Sequence, residues 1–236
     1  MNVLDSTVSV ACWSCSATHD ASLLFCPHCG KIQPAVAVDY FSALGLEQKL
    51  NIDLTALEQE FHRLSRKLHP DRFARASDRE KEWSLADTAL LNDAYRTLKD
   101  PLRRTHYLLK LNGEEIGEEF AGANGKDRGK GENGPSRAPA DLLEEVFELN
   151  MQLEEMRMSQ KMNEKDPELE ASLIEAKTKF DKLLDAVDED LRRQWKLWDN
   201  GDTAARKTAQ NAMVALLDRR RYLSNLVRDV NEVLGV

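Results

Sequence analysis

Two features of this sequence have residue types and spacings that could do chemistry: four cysteines near its start and a His-Pro-Asp tripeptide further on. The cysteines form two CxxC pairs, Cys12/Cys15 and Cys26/Cys29. Two such pairs can direct four thiolates toward one ion, as structural zinc sites do. Because four protein ligands leave no open position, we expect the ion to be a structural Zn²⁺ that does not activate water.

The same four cysteines allow an alternative, a disulfide or a redox pair. All four lie between residues 12 and 29, which argues against a distributed disulfide framework. His19 and His28 are available as further ligands, but we expect both to be bystanders. A segment this short has little core, so metal binding would supply its folding energy.

The tripeptide His69-Pro70-Asp71 lies between two helical patterns. Pro70 lacks an N–H group and disfavours helical conformation at His69, so the first helix should end there. That helix carries one apolar face and one basic face. The apolar face comprises Leu54, Leu57, Phe61, Leu64 and Leu68, and the basic face comprises His62, Arg63, Arg66 and Lys67.

The second helical pattern begins near Ser77, whose spacing to Glu80 fits a capping box. It predicts an apolar face through Leu85, Ala89, Asn92, Tyr95 and Leu98.

Shorter signals predict the remaining helix ends of this region. A short helix over 39–46 should end at Gly45. Thr55 and Glu58 fit a capping box for the long helix, with Asp53 as the rival cap. Asp100 and Pro101 predict the start of a last helix that stops near Asn112.

Composition excludes several classes of function. The chain has 236 residues and a net charge of −8, so wholesale nucleic-acid binding is not expected. No apolar run is long enough for a membrane span. The first ten residues resemble neither a signal peptide nor a presequence, so we expect a cytoplasmic protein. Residues 112–140 are rich in glycine and predict a flexible linker.

Three helical patterns follow the linker, over about 139–162, 167–198 and 202–234. The first two alternate apolar steps of four and three, and together the three patterns predict a three-helix, coiled-coil-like bundle. The predicted core stripes are Leu142, Val146, Leu149, Leu153 and Met156; Leu169, Leu173, Ala176, Phe180, Leu183 and Val187; and Met213, Leu216, Leu223, Val227, Val230 and Leu234. Trp195 and Trp198 are expected in the core at one end of the bundle.

The first bundle helix carries a second apolar row, formed by Leu143, Phe147 and Met151. Glu144, Glu145, Glu148 and Glu155 flank it, and Tyr222 lies off the core stripe of the third helix. Two readings remain open at this point: a wide buried face, or an exposed patch for a protein partner.

Several segments of residues 39–111 together resemble a J domain, in detail that of the HscB family of iron–sulfur co-chaperones. The matching segments are Asp39-Tyr40-Phe41, Leu44-Gly45-Leu46, His69-Pro70-Asp71 with Phe73, Leu91-Asn92-Asp93-Ala94-Tyr95, Thr97-Leu98, Asp100-Pro101-Leu102-Arg103-Arg104 and Tyr107-Leu108-Leu109. The resemblance extends to the cysteine pairs, whereas the linker is longer than is usual in the family.

The resemblance implies two protein partners. His69, Pro70 and Asp71 would contact a DnaK/HscA-type ATPase and stimulate its hydrolysis of ATP, with Arg63, Arg66 and Lys67 facing an acidic surface of that chaperone. An iron–sulfur scaffold protein of the IscU type would bind to the bundle. The scaffold-binding positions implied by the family are Leu143, Glu144, Phe147, Glu148, Met151, Glu155 and Tyr222.

The sequence therefore predicts an all-α protein in four parts: a zinc-binding module over 1–38, a J domain over 39–111, a linker over 112–140 and a three-helix bundle over 141–236. We expect a co-chaperone and not an enzyme. A general J protein that delivers unfolded clients remains an alternative. A zinc-dependent nucleic-acid module is disfavoured, because the only basic residue near the cysteines is Lys31.

Overall fold

The computed structural model describes residues 9–36, 38–114, 140–162 and 164–235. The chain divides into two compact units, Met1–Glu115 and Ile116–Val236, and each is described by itself. The predicted linker falls mostly on 115–139, outside the described residues. Among the described residues, no helix is both long enough and apolar enough to cross a membrane.

The first unit begins with a small β-structure. Strand β1 (Ser9–Ala11) pairs antiparallel with β2 (Thr18–Asp20), and an isolated bridge joins Phe25 to Ile32. Four α-helices and a 3₁₀ turn follow. They are α1 (Tyr40–Ala43), α2 (Leu54–Leu68), the 3₁₀ turn Pro70–Phe73, α3 (Asp78–Lys99) and α4 (Pro101–Leu111).

Side-chain caps fix the beginnings of these helices. The Asp53 carboxylate accepts hydrogen bonds from the N–H groups of Thr55 and Ala56, so the rival cap holds α2 and the predicted Thr55 cap is wrong. The capping box of Ser77 and Glu80 is confirmed at α3. Asp100 caps α4 with Pro101 at its first position, as predicted.

The face predicted for α3 is wrong in its N-terminal part and confirmed only at Leu98, which is buried. Leu85 is 67% exposed and Ala89 is exposed, whereas Leu91, Ala94 and Leu98 are buried. The N-terminal half of the buried face is polar, because Ser84 and Asp87 occupy it, and apolar periodicity cannot detect such a face. Leu57, Leu64 and Leu68 form the buried side of α2 opposite it.

Buried polar contacts tie the remaining segments of the first unit together. The Arg104 guanidinium donates to the carbonyls of Leu50 (2.9 Å) and Leu98, which joins α4 to the loop before α2. The Tyr107 hydroxyl accepts from the N–H of Tyr40 at 2.9 Å, and the two rings stack. Burial raises the pKa of Tyr107 to about 12.

The second unit is a bundle of three helices. A 3₁₀ turn (Ala140–Leu142) leads into α5 (Leu143–Met162), followed by α6 (Pro167–Asn200) and α7 (Thr203–Leu234). Every residue of the predicted α5 stripe is buried, as are both tryptophans at the bundle end. On α7 the predicted stripe is partly displaced: Leu217, Leu226 and Val233 are buried, and their neighbours Leu216, Val227 and Leu234 are half-buried.

A tight turn joins α6 to α7. A Cβ atom at position 201 would collide with the carbonyl oxygen of Leu197, so this position requires Gly201. The next residue, Asp202, caps α7 by accepting from the N–H of Ala205. Arg206 donates to the carbonyl of Trp198 at 3.1 Å and covers its ring.

Polar contacts set the register of α5 against α7. Arg219 makes a bidentate ion pair with Asp141 at 2.9 and 2.8 Å, near the start of α5. Near its end, the Gln160 amide donates to the carbonyl of Val233 at 2.7 Å. Since both contact pairs advance along the chain together, α5 and α7 run parallel.

Candidate functional sites

The four cysteine sulfurs lie together at one end of the first unit. The Sγ atoms of Cys12 and Cys29 are 3.6 Å apart, those of Cys15 and Cys26 are 3.8 Å apart, and all four lie within 4.8 Å of one another. A tetrahedral ion with Zn–S bonds of about 2.3 Å separates its sulfurs by about 3.8 Å. The distances fit a tetrathiolate metal site and are too long for disulfide bonds.

The surroundings of the sulfurs favour a thiolate at Cys12. The N–H of Ser14 and the side-chain amide of Gln33 both approach the Cys12 sulfur at 3.4 Å. Burial opposes ionisation of Cys12, but the backbone N–H groups of Cys15 and Ser14 outweigh it, and the pKa falls to about 6. At Cys15 the backbone N–H of Ala17 favours ionisation, but burial and the neighbouring thiols outweigh it and raise the pKa to about 12. His19 stands apart from the sulfurs, because its ring nitrogens contact the Asp20 carbonyl (2.8 Å) and Gln33 (3.3 Å).

The His-Pro-Asp loop projects from the end of the α2–α3 hairpin. The α2 helix ends at Leu68, and His69 leaves it with an extended ψ of 129°. The Asp71 N–H donates to Nδ1 of His69 at 3.3 Å, and the N–H of Arg72 donates to the His69 carbonyl at 2.9 Å. The side chains of His69 and Asp71 lie 3.4 Å apart and remain 59% and 90% exposed to solvent.

One side chain that the sequence did not single out anchors this loop, and a second lies beside it. The Ser84 hydroxyl donates to the carbonyl of Leu68 at 2.6 Å. The Thr88 hydroxyl donates to the carbonyl of Ser84 at 2.7 Å and lies 3.4 Å from the Leu68 oxygen. Ser84 therefore holds the last carbonyl of α2, which has no partner within its own helix, and Thr88 lies beside it. A serine and a threonine within a helical pattern are only weak evidence in the sequence that their hydroxyls bind a carbonyl of another helix.

Asp87 follows Ser84 by one turn on the same buried face. Its side chain is 1% exposed, and neither carboxylate oxygen has a well-formed hydrogen bond within the described part of the chain. Burial raises its pKa to about 7, and the nearby N–H of Ala35 only partly opposes that rise. A carboxyl group therefore titrates near neutral pH inside the hairpin.

The basic side chains predicted on α2 are all exposed. Arg63 is paired with Glu60 three residues earlier on the helix. Within the described residues, neither Arg66 nor Lys67 makes an ion pair with a carboxylate. These two cations in the last turn of α2 therefore keep their charge available beside the His-Pro-Asp loop.

The second apolar row of α5 is exposed, so the interpretation of the row as part of a wide buried face is wrong. Leu143, Phe147 and Met151 are 56%, 68% and 60% exposed. Met158 and Met162, which the sequence pattern did not predict as part of the row, continue it at 62% and 67% exposed. At about 100° per residue, the row lies about 150° around the helix from the buried stripe. It is a separate face and not the margin of the core.

The acidic residues named for the scaffold site follow one edge of this row. Glu144, Glu148 and Glu155 are all exposed. Around the helix axis all three lie on the same side of the row formed by Leu143, Phe147 and Met151. Tyr222 belongs to α7 and is half-buried, and burial raises its pKa. It follows Arg219 by one turn, and the Arg219–Asp141 pair sets it level with the first turns of α5.

Comparison with known proteins adds to this geometry. Residues 39–107 match the family described as DnaJ domain. The chain is 31% identical over 224 residues to the iron–sulfur cluster co-chaperone protein HscB of Mus musculus, which covers 93% of this chain and 81% of that protein. It is 39% identical over 118 residues to the HscB homolog of Arabidopsis thaliana, covering 50% of this chain and 46% of that protein.

A solved structure shares the fold over nearly the whole length. The crystal structure of human co-chaperone protein HscB aligns with a TM-score of 0.62 and 25% identity, over 94% of this chain and 98% of that one. The J-domain match, the relatives and the common fold agree with one another. The chain therefore belongs to the HscB family of iron–sulfur cluster co-chaperones and contains a J domain.

Proposed function

We propose that this co-chaperone stimulates ATP hydrolysis by a DnaK/HscA-type chaperone through His69, Pro70 and Asp71. The observation that carries the proposal is the exposed loop, whose backbone is held by Ser84 through the carbonyl of Leu68. A carboxylate on a rigid turn suits an arginine of the partner, because charge-assisted hydrogen bonds are strong only when well oriented.

The basic face of α2 would orient the encounter with the chaperone. Arg66 and Lys67 lie in the last turn of α2, immediately before the loop. Charges of this kind act mainly on the association rate and on the orientation of docking. Arg63 would contribute less, since Glu60 already neutralises it.

We propose that the exposed face of α5 binds the iron–sulfur scaffold protein. Leu143, Phe147 and Met151 supply apolar contact area that no other part of the described bundle covers. Glu144, Glu148 and Glu155 would select basic residues at the rim of the partner's apolar patch, and Tyr222 would extend the surface onto α7. Such an acidic rim sets specificity and register more than affinity.

We propose Zn²⁺ as the ion of the four-cysteine site. Cys12, Cys15, Cys26 and Cys29 would hold it, and its role would be to supply folding energy to a module with little core of its own. Metal analysis of the purified chain should find zinc equimolar with protein. Cys26→Ser should lose it, whereas a redox pair would instead give a disulfide in the oxidised protein.

The experiment that tests the co-chaperone activity is a steady-state ATPase assay of a DnaK-type chaperone. It compares scaffold alone, this protein alone and both together. We expect synergistic stimulation that His69→Gln abolishes. His62→Gln is the matched control for removing an exposed histidine from the same hairpin. Because His62 lies on the basic face but outside the loop, we expect this change to lower stimulation only slightly.

Each other outcome has a distinct meaning. Stimulation that ignores the scaffold but responds to denatured protein would favour a general J protein. Absence of stimulation by the wild-type protein would leave the loop as a structural turn and contradict the proposal.

A further inference from the structure

The four-cysteine module contacts the α2–α3 hairpin on both sides of the His-Pro-Asp loop. Before the loop, the Lys67 ammonium lies 5.8 Å from the ring centroid of Phe25. After the loop, Lys31 pairs with Glu80 at 2.9 Å, and the rings of Trp13 and Trp83 meet edge to face at 5.8 Å. The module therefore contacts both helices that flank the loop, α2 before it and α3 after it.

The contact after the loop reaches the cap of α3. Glu80 is 6% exposed and accepts hydrogen bonds from the N–H and hydroxyl of Ser77, which begins the helix. The hydrogen bond from Lys31, followed by those from Ser77, lowers the pKa of Glu80 and keeps it ionised. A module residue is therefore part of the network that fixes where the loop ends.

The contact before the loop reaches the basic face. Lys67 has no carboxylate partner within the described residues, so the ring of Phe25 is a neighbour that can orient its ammonium group. Phe25 precedes the ligand Cys26 and forms a β-bridge with Ile32, whose carbonyl accepts from the Trp13 indole at 2.7 Å. The position of the ring is therefore set by the fold of the four-cysteine module.

We infer that the four-cysteine module is a part of the chaperone-docking surface. It clamps the stem of the His-Pro-Asp loop, and Phe25 is a positioning residue that presents Lys67 to an acidic surface of the chaperone. This inference rests on the proposed stimulation of a DnaK-type ATPase. It gives the module a role in stimulating the chaperone's ATP hydrolysis and explains why the module contacts the chain on both sides of the loop.

The test titrates the full-length chain into the chaperone ATPase assay and separates half-saturation from maximal stimulation. Phe25→Leu keeps the apolar bulk but removes the aromatic face, whereas Phe25→Tyr keeps the face. We expect Phe25→Leu to raise the half-saturating concentration about two- to fivefold with maximal stimulation unchanged, and Phe25→Tyr to match wild type. In a Lys67→Met background, Phe25→Leu should have no further effect.

Two controls separate this role from a merely structural one. The first control is that each variant keeps one metal ion per chain. The second is Leu23→Ala, which removes an exposed apolar side chain of the same module that has no aromatic face, and it should leave the half-saturating concentration unchanged. A second readout needs no chaperone: metal removal by a chelator should accelerate amide exchange in the first turn of α3 while exchange in α6 and α7 stays the same.

The outcomes that overturn the inference differ from those that overturn the function. Three outcomes would overturn the inference alone. Phe25→Leu could give the same titration curve as a stimulating wild type, or could have the same effect with and without Lys67→Met. Amide exchange in the first turn of α3 could also stay the same after metal removal. A wild-type chain without any stimulation would overturn the proposed function and the inference with it.

Discussion

Residues 9–114 and residues 140–235 each present a surface proposed to bind a partner, but the interiors behind those surfaces differ. Among the described residues, seven of the eight buried polar or charged side chains belong to the first region, and Gln210 alone belongs to the second. The seven are His19, Gln33, Glu80, Ser84, Asp87, Arg104 and Thr105.

The difference follows from what each surface is made of. An exposed loop must be fixed by side chains that bind its carbonyls, as Ser84 does for Leu68. A helix satisfies its own backbone, so α5 can present a face to a partner with only apolar packing behind it. Changes in pH and salt concentration should therefore weaken the first surface. Truncation of apolar side chains should weaken partner binding at the second.

The largest expected effect is the truncation of Phe147 to alanine. Phe147 is the largest side chain of the exposed row, and buried aromatic anchors commonly contribute about 2–4 kcal/mol to an interface. We expect the dissociation constant for the iron–sulfur scaffold to rise about 30- to 1000-fold, measured by calorimetry. ATPase stimulation in the absence of scaffold should not change.

Ile174→Ala is the control for that truncation, because Ile174 is an exposed apolar side chain on α6, outside the row. Equal scaffold affinity for Phe147→Ala and wild type would remove α5 as the scaffold surface.

The next effect concerns pH and belongs to the first region. The pKa of Asp87 in the folded chain, about 7, exceeds the ordinary 3.8, so the folded state binds more protons between these two values. Stability should therefore fall as pH rises from about 4 to about 7. Asp87→Asn removes that cost, and we expect it to stabilise the hairpin by about 1–3 kcal/mol at pH 8 and by much less at pH 4.

Hydrogen exchange of the α3 amides, compared between variant and wild type at each pH, measures the change. Asp93→Asn on the same helix is the control, since Asp93 is exposed and paired with Arg96. A difference that does not depend on pH would show that Asp87 is not the titrating group. The bundle should show no matching change in α6.

Much of the fold follows from apolar spacing and caps, and α5 shows how far this reaches. Its core stripe and the first three residues of its second row were predictable from period alone, whereas the helix begins at Leu143 and not near residue 139. Whether that second row was buried was not predictable, because period gives the direction of a side chain and not what covers it. Only the packing of α6 and α7 on the opposite side of α5 settles the question.

Helix α3 shows where apolar spacing misleads. Leu85 and Ala89 continue the apolar period of the sequence, yet the buried positions are Ser84 and Asp87. Ser84 is buried against the carbonyl of Leu68, which another helix supplies, and Asp87 is buried near the N–H of Ala35. No local pattern contains either neighbour. The contacts of Trp13 and Phe25 with the hairpin were equally unpredictable, since they join segments distant in sequence.

A smaller effect is expected from the two free cations of α2. Exposed charges contribute about 0.2–1 kcal/mol each, so Arg66→Ala combined with Lys67→Ala should raise the half-saturating concentration for the chaperone about two- to thirtyfold. The effect should fade as salt rises, because screening weakens exposed pairs. Scaffold affinity should change little with salt, and Arg157→Ala, a paired cation on α5, serves as control.

The smallest effect marks the far end of the exposed row. Met158 and Met162 lie on the same face as Phe147 but about three and four turns further along α5, away from the level of Tyr222. Flexible methionines at the edge of an interface contribute modestly, so we expect Met158→Ala with Met162→Ala to weaken scaffold binding about two- to fivefold. Lys161→Ala, an exposed change at the same helix end, should have no such effect. A loss as large as that of Phe147→Ala would instead move the centre of the scaffold surface toward the C-terminal half of α5.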